Sequence, residues 1–309
     1  MKRRTIDRAG SKSSWRAVRV LAFASALVAL AACAGDAPEP GVRPDMLQAS
    51  WVTSEPVRLD AEDVVDRIDL DGVLVGLAVQ PDTGQRLGLF SDGSLSDLDT
   101  GASLPQLRDP AGVFGFGDMV ALGDDLLAVT ATNDGYLVST TDGVLRQHFC
   151  FLPGWQEEDP GNVDPMQLAL ALGFDAERER LYAQPRMWQN GGAGAITDSF
   201  LSSYDLGDGA DLTWWNMPTE NVAAGGMVVL DPGPDQLGYD APTLLLGVGL
   251  ELVRFHGVNG EMERLASVAD LEIVGVSGLA IDADAGTLLV AGAGAPARVL
   301  TIPLGRLGL

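Results

Sequence analysis

From residue 70 onward, apolar runs of four to seven residues alternate with turns built from Asp, Gly, Asn and Pro, and no long stretch sustains a 3.6-residue apolar period. Short apolar runs bounded by turn residues predict strands, so the chain reads as all-β. Comparing the chain with itself gives more. GLAVQPDTGQRLGLF (residues 76–90) and GLAIDADAGTLLVAG (278–292) share one template: Gly-Leu-Ala, an apolar residue, an acidic turn ending in Gly, then a second apolar strand. ALGFDAERERLYAQ (171–184) fits it with Glu179 where the others carry Gly84 and Gly286. DMVALGDDLLAVT (118–130) is a copy with a tighter turn, and GGMVVLDPGPDQLGYDAPTLLLG (225–247) a copy with an expanded one.

With Leu77, Met119, Leu172, Val228 and Leu279 as equivalent anchors, the units are spaced by 42, 53, 56 and 51 residues. That period fits blades of four antiparallel strands, which need roughly 40 to 50 residues each. The predicted fold is therefore a single β-propeller over residues 50–309. Five blades of about 52 residues are favoured, with six of about 43 as the alternative. The last unit supplies only three strands, GLAID, TLLVA and ARVLTI, before Leu309. A strand from SWVTSE or DVVDRIDL near the N-terminus would complete it and remove an open sheet edge.

The first 33 residues follow different rules. Seven of the chain's 20 cationic residues, Lys2 to Arg19, precede the apolar run VLAFASALVALAA, which ends at Cys33. Thirteen residues are too few to span a ~30 Å hydrocarbon core as a helix, so the segment reads as a signal peptide. Leu30-Ala31-Ala32-Cys33 resembles the lipobox of bacterial lipoproteins. The resemblance implies cleavage after residue 32 and acylation of Cys33, which would hold the chain to a membrane of the bacterial cell envelope. Ala34, where an Asp would favour inner-membrane retention, points to the outer membrane. Residues 33–49 are rich in Pro, Gly, Ala and Asp and read as a tether. Cys150 is then the one remaining thiol, which excludes an intramolecular disulfide.

Thirteen Arg and 42 acids follow Cys33, a net charge near −29. A surface of that sign repels phosphate backbones, so no nucleic-acid partner is expected. An apolar fraction of 46% is nonetheless enough for a sizeable core, so the charge does not signal disorder.

The repeated template, close to GLAxDxxxGxLyV, resembles the gluconolactonase-like, strictosidine-synthase-like and NHL-type propellers. That resemblance implies architecture over most of residues 70–305. The gluconolactonase-like enzymes hold a divalent cation in the central channel with acidic and amide side chains at positions opening the inner strands. Here those positions read Val75 and Ser277. Asn133-Asp134-Gly135 copies an Asn motif of that family but lies between two strands, where it is ordinary hairpin chemistry. No HExxH, GxSxG or phosphate loop occurs, and neither His148 nor His256 has a nucleophile partner in the sequence, so no catalytic residue is assigned. The acidic turns around Asp282 and Asp284, and around Asp205, Asp208 and Asp211, could bind Ca²⁺, but neither matches a dedicated calcium loop and turn geometry is a sufficient explanation of them.

Loop length singles out one region. Residues 151–167, 185–197 and 216–225 are long connections on one predicted face, around the third unit. They carry Trp155, Glu157, Glu158, Asp159, Arg186, Trp188, Asn190 and Asn221, with Trp214 and Trp215 in the strand before the last of them. Aromatics mixed with carboxylates, amides and one Arg suit recognition of a protein, peptide or small polar ligand. The expectation is a binding role through these residues. A divergent metal-dependent hydrolase or lactonase is the alternative.

Overall fold

The computed structural model describes residues 47–107, 116–123, 125–131, 134–150, 171–184, 186–188, 196–206, 211–218, 224–231, 233, 241–294 and 296–309. Three two-residue strands come first: β1 (Leu47–Gln48), β2 (Ser50–Trp51) and β3 (Val57–Arg58), followed by β4 (Asp66–Leu70). The first sheet is β5 (Leu74–Val79), β6 (Arg86–Phe90) and β7 (Leu95–Asp97), with an isolated bridge from Ser96 to Ser103 at its rim. The second is β8 (Phe116–Gly123), β9 (Leu126–Ala131), β10 (Asp134–Ser139) and β11 (Leu145–Cys150). The third has β12 (Ala171–Asp175), β13 (Arg180–Gln184), β14 (Arg186–Trp188), β15 (Ile196–Asp205) and β16 (Asp211–Asn216). The fourth is β17 (Ala224–Asp231), β18 (Thr243–Val248), β19 (Glu251–His256) and β20 (Glu261–Ser267). The fifth is β21 (Gly275–Asp282), β22 (Thr287–Ala293) and β23 (Ala297–Pro303). Among the described residues the only helical turns are 3₁₀ pieces, so the chain is all-β and its arrangement propeller-like.

Burial explains the arrangement. Strands such as LVGLAV and TLLVAGA are apolar on both faces, so each sheet needs a neighbour on either side. Five separate core clusters supply them. Leu87, Leu89 and Leu95 of the first sheet pack with Met119, Leu127 and Val129 of the second, and Leu137 of the second with Leu172 and Leu181 of the third. Tyr182 and Trp215 of the third meet Leu244 and Phe255 of the fourth, whose Leu245 and Leu252 meet Leu279 and Leu288 of the fifth. The last cluster joins Leu289 and Val299 of the fifth sheet to Leu74 and Leu77 of the first. The strands opening the sheets neighbour one another in the same cyclic order, β5, β8, β12, β17, β21 and β5 again.

The opening strands share an irregularity at the same level. Pairing slips between Leu74 and Gly76, Phe116 and Met119, Ala224 and Met227, and Val276 and Gly278, whereas β12 pairs without a slip. Glycines at these slips approach the backbone of the neighbouring sheet. A Cβ on Gly226 would sit 2.4 Å from the Leu279 nitrogen, and one on Gly278 would sit 3.1 Å from that of Leu77. This corrects one anchor. Gly226, not Met227, stands level with Gly278, so Met227 rather than Val228 is equivalent to Leu279; Met227 is buried and Val228 only half-buried.

The N-terminal segment uses both strand candidates rather than one. β2, in SWVTSE, and β3, just after it, run parallel to β20 and extend the fourth sheet; β1 runs parallel to β16 and extends the third, so Leu47 to Ala49, at the end of the stretch expected as a tether, already belong to the folded body. β4, from DVVDRIDL, pairs antiparallel with β23. Together they form a belt over the outer edges of three sheets, covering backbone that would otherwise invite pairing with another chain. Leu59 is fully buried beneath it, and the Arg264 guanidinium lies 4.3 Å from the Trp51 ring centre. Ion pairs Arg58–Asp270, Arg306–Asp63 and Arg298–Asp69 fasten it on the outside. The Arg58 guanidinium holds the Asp270 carboxyl below the usual carboxylate range.

Candidate functional site

Alternation along antiparallel strands puts the connections from second to third strand, and from each sheet to the next, on one face. The turns from first to second and from third to fourth strand lie on the other. The acidic turns belong to the second group, and their acids serve the turns. Asp282 Oδ1 accepts from the Ala285 amide at 2.9 Å, and Asp175 Oδ1 accepts from those of Glu177 and Arg178 at 2.9 and 3.2 Å. Glu179 occupies the left-handed region with φ 54°, matching Gly84 at 68° and Gly286 at 63°, as the shared template requires. Among the described residues no three His, Cys, Asp or Glu side chains are grouped to hold a metal ion.

On the opposite face the second-to-third connections differ sharply in length. They span four residues in the first sheet, two in the fourth and three in the fifth, but eleven in the third, from 185 to 195. Part of that connection is itself a strand. β14 pairs antiparallel with the start of β15, Arg186 opposite Ser199 and Trp188 opposite Ile196, beyond the stretch where β15 pairs with β13. The third sheet therefore carries a hairpin extended past the ends of its other strands, where the sequence alone suggested an open loop. Arg186 and Trp188 lie on this hairpin, and Trp214 on β16. Trp155, Glu157, Glu158, Asp159, Asn190 and Asn221 lie outside the described residues, as do Cys33 and Asp208.

Trp215 is a correction. It is fully buried against Phe255, edge to face with ring centres 5.7 Å apart, and its Nε1 donates to the Gly257 carbonyl at 3.0 Å. Its large ring and its one donor are both used in joining the third sheet to the fourth, which leaves nothing for a ligand. β16 pairs Trp214 with Ser202 and Trp215 with Leu201.

Where the opening strands converge, the structure shows a feature the sequence reading passed over. Asp118 precedes the Met119 anchor where the other units carry Gly or Ala, and it is almost wholly buried. Its Oδ1 accepts from the Met119 amide at 2.8 Å and its Oδ2 from the Leu172 amide of the third sheet at 2.9 Å. Burial pushes its pKa well up, while the two amide bonds act in the opposite sense. Gln184 makes a comparable bridge, its Oε1 accepting from the Ala224 amide of the fourth sheet at 3.0 Å. An acid where a repeat elsewhere has Gly or Ala was the available signal.

A channel metal of the kind the sequence resemblance implies does not fit these residues. Val75 has no donor, Ser277 offers a hydroxyl without a partner, and the one carboxylate at this level among the described residues already accepts a backbone N–H on each oxygen.

The sequence matches no protein-family model, and it matches none of the curated proteins. Among solved structures, the chain is similar to the crystal structure of Myxococcus xanthus glutaminyl cyclase. The identity is 10% and the TM-score 0.48, over 80% of this chain and 97% of that one.

Proposed function

We propose that the chain is a lipid-anchored, five-bladed propeller of the bacterial cell envelope, closed by β4, that binds a protein, peptide or small polar ligand on the face bearing the third sheet's extended hairpin. The cyclic order of the five core clusters, and the pairing of β4 with β23, support the blade count and the closure. The signal segment and the residues around Cys33 support the anchor and the envelope location, with Ala34 favouring the outer membrane.

One observation carries the binding role: an eleven-residue connection with a strand of its own, on a face where the comparable described connections have two to four residues. A compact blade does not need such an extension, and long connections on a rigid scaffold are where recognition residues concentrate. Metal-dependent hydrolysis is not carried forward, because the donors where the opening strands meet do not fit it.

The test places a photo-crosslinking amino acid at position 188 in the full-length protein in growing cells, with position 284 on the opposite face as the control. Discrete adducts at 188 that disappear in Arg186→Ala, with none at 284, are expected. Adducts equal at both positions, or none at 188, overturn the binding face. Labelling with radioactive palmitate that persists in Cys33→Ser overturns the anchor independently.

A further inference from the structure

The N-terminal strands fix where the tether joins the folded body. From Leu47 onward the backbone is held: Leu47 and Gln48 pair in parallel with Trp215 and Asn216, Ala49 is buried in the cluster joining the third and fourth sheets, and the Ser50 amide donates to the Gly260 carbonyl at 2.9 Å. The attachment is therefore on the outer edge of the third sheet. It also lies close to the extended hairpin. Gln48 is level with Asn216 and Asn216 with Phe200, while the next residue along β15, Ser199, pairs with Arg186. Three strand spacings, about 15 Å, separate the attachment from the base of the hairpin.

Little chain remains between that point and the anchor. Cys33 to Met46 are 14 residues. A chain of that length reaches about 50 Å at full extension and spans about 20 Å on average. A compact body of the size of residues 50–309 is roughly 45 Å across. The average span is thus less than half the width of what it holds. A body tied by one edge on so short a lead turns that edge away from the bilayer only by stretching the lead around its own flank, which costs chain entropy. The third sheet and its hairpin therefore lie on the membrane side. The cyclic order of the core clusters puts the junction of the fifth and first sheets opposite, on the far side.

We propose that the hairpin face takes its ligand at the membrane surface, and that this ligand is a protein embedded in the same membrane, presenting a basic segment there. The inference rests on the lipid anchor and the hairpin face proposed above. Charge separates protein from lipid as the partner. A chain of net charge near −29 beyond Cys33 is repelled by anionic headgroups, so the bilayer is held near the hairpin by the tether and not by affinity. A cationic protein segment between two anionic surfaces is attracted to both, and charge complementarity of this kind speeds encounter and suppresses wrong partners.

The first measurement reconstitutes the intact lipidated protein into vesicles of phosphatidylethanolamine and phosphatidylglycerol carrying an acceptor dye on the headgroups, with a fluorescent amino acid at position 188, 91 or 274. Ser91, in the β6–β7 turn, and Val274, just before β21, are exposed and flank the far junction. Energy transfer from 188 should exceed that from either by about twofold or more. Inserting about 40 Gly and Ser residues after Pro40 doubles the average span and should bring the three positions together, with the melting temperature unchanged. Equal transfer from all three in the parent overturns the orientation. A difference that survives the insertion overturns the tether as its cause and points to lipid binding instead. The second measurement identifies by mass spectrometry what is joined to the photo-crosslinker at 188 in growing cells. A membrane-embedded protein, joined through a peptide of net positive charge, is expected; a soluble protein or a lipid overturns the proposed partner. Failure of the earlier readings shows separately and takes this one with it: protein that does not float with the vesicles defeats the anchor, and no adduct at 188 defeats the binding face.

Discussion

The junctions between these sheets are built in two different ways. Where the fourth sheet meets the fifth, and the fifth the first, backbone lies against backbone: Gly225 and Gly226 against Val276 to Leu279, and Gly278 against Gly76 and Leu77. Around the third sheet the contact is made by side chains. Asp118 reaches forward to the Leu172 amide, and Gln184 to that of Ala224. The third sheet has Ala171 at the level of the glycines, its opening strand pairs without a slip, and it carries the extended hairpin. Direct backbone contact leaves no space to adjust, whereas a side-chain bridge can absorb a different spacing between sheets. The sheet bearing the most elaborate connection is thus the one joined by bridges.

Glycine-to-alanine changes test the first half of that contrast and should have the largest effects. A Cβ would stand 1.8 Å from the Val276 carbonyl oxygen at position 225, 2.4 Å from the Leu279 nitrogen at 226, 2.7 Å from the Met119 nitrogen at 76 and 3.1 Å from the Leu77 nitrogen at 278. Backbone atoms of two sheets cannot step aside, so destabilisation should fall in the order G225A, G226A, G76A, G278A. The first should exceed about 4 kcal/mol, the range of severe core disruption. Denaturant unfolding of the four variants checks the ranking; equal losses would mean that the junctions yield as whole units.

The second half rests on Asp118. Asp118→Ala leaves the Met119 and Leu172 amides without their acceptor inside the core but also removes a buried charge, a net loss of about 2 kcal/mol. The pH dependence is the sharper measurement. Because the folded-state pKa is raised, the native state binds this proton more readily than the unfolded chain. The stability this confers is complete below the ordinary carboxylate pKa and is lost as pH rises through the folded value. Over that window the parent should lose stability with rising pH relative to Asp118→Asn, as read from unfolding free energies at a series of pH values. A parallel pair of curves would show that the amide bonds fully offset burial.

The smallest expected effect is a gain. Glu179 holds a left-handed conformation that its two counterparts give to glycine, and such a conformation costs an ordinary residue roughly 1–2 kcal/mol. Glycine gives back part of that gain in unfolded-state entropy, so Glu179→Gly should stabilise by about 0.5–1 kcal/mol in the same assay. If it does, the third unit obeys the common turn geometry even though its junctions do not.

Much of this was legible without coordinates. Short apolar runs and turn residues specify strands locally, and the spacing of the GLA-type anchors favours five units. A repeated residue pattern also exposes its own exception, as at Glu179. Three matters needed the tertiary structure. Neighbouring Trp214 and Trp215 look interchangeable in sequence, but the reach of the Trp215 indole to Gly257 commits one of them to a junction. SWVTSE and DVVDRIDL look like rivals for one edge, yet the fold uses both on different sheets, because an edge is defined only once the sheets are placed. Asp118 drew no notice in the sequence, and its role appears only where the second and third sheets meet and the Leu172 amide finds its acceptor there. Local pattern fixes which residues form strands and turns, since those choices depend on near neighbours in the chain; partners 40 to more than 200 residues away are chosen by packing, and only the assembled sheets make that choice.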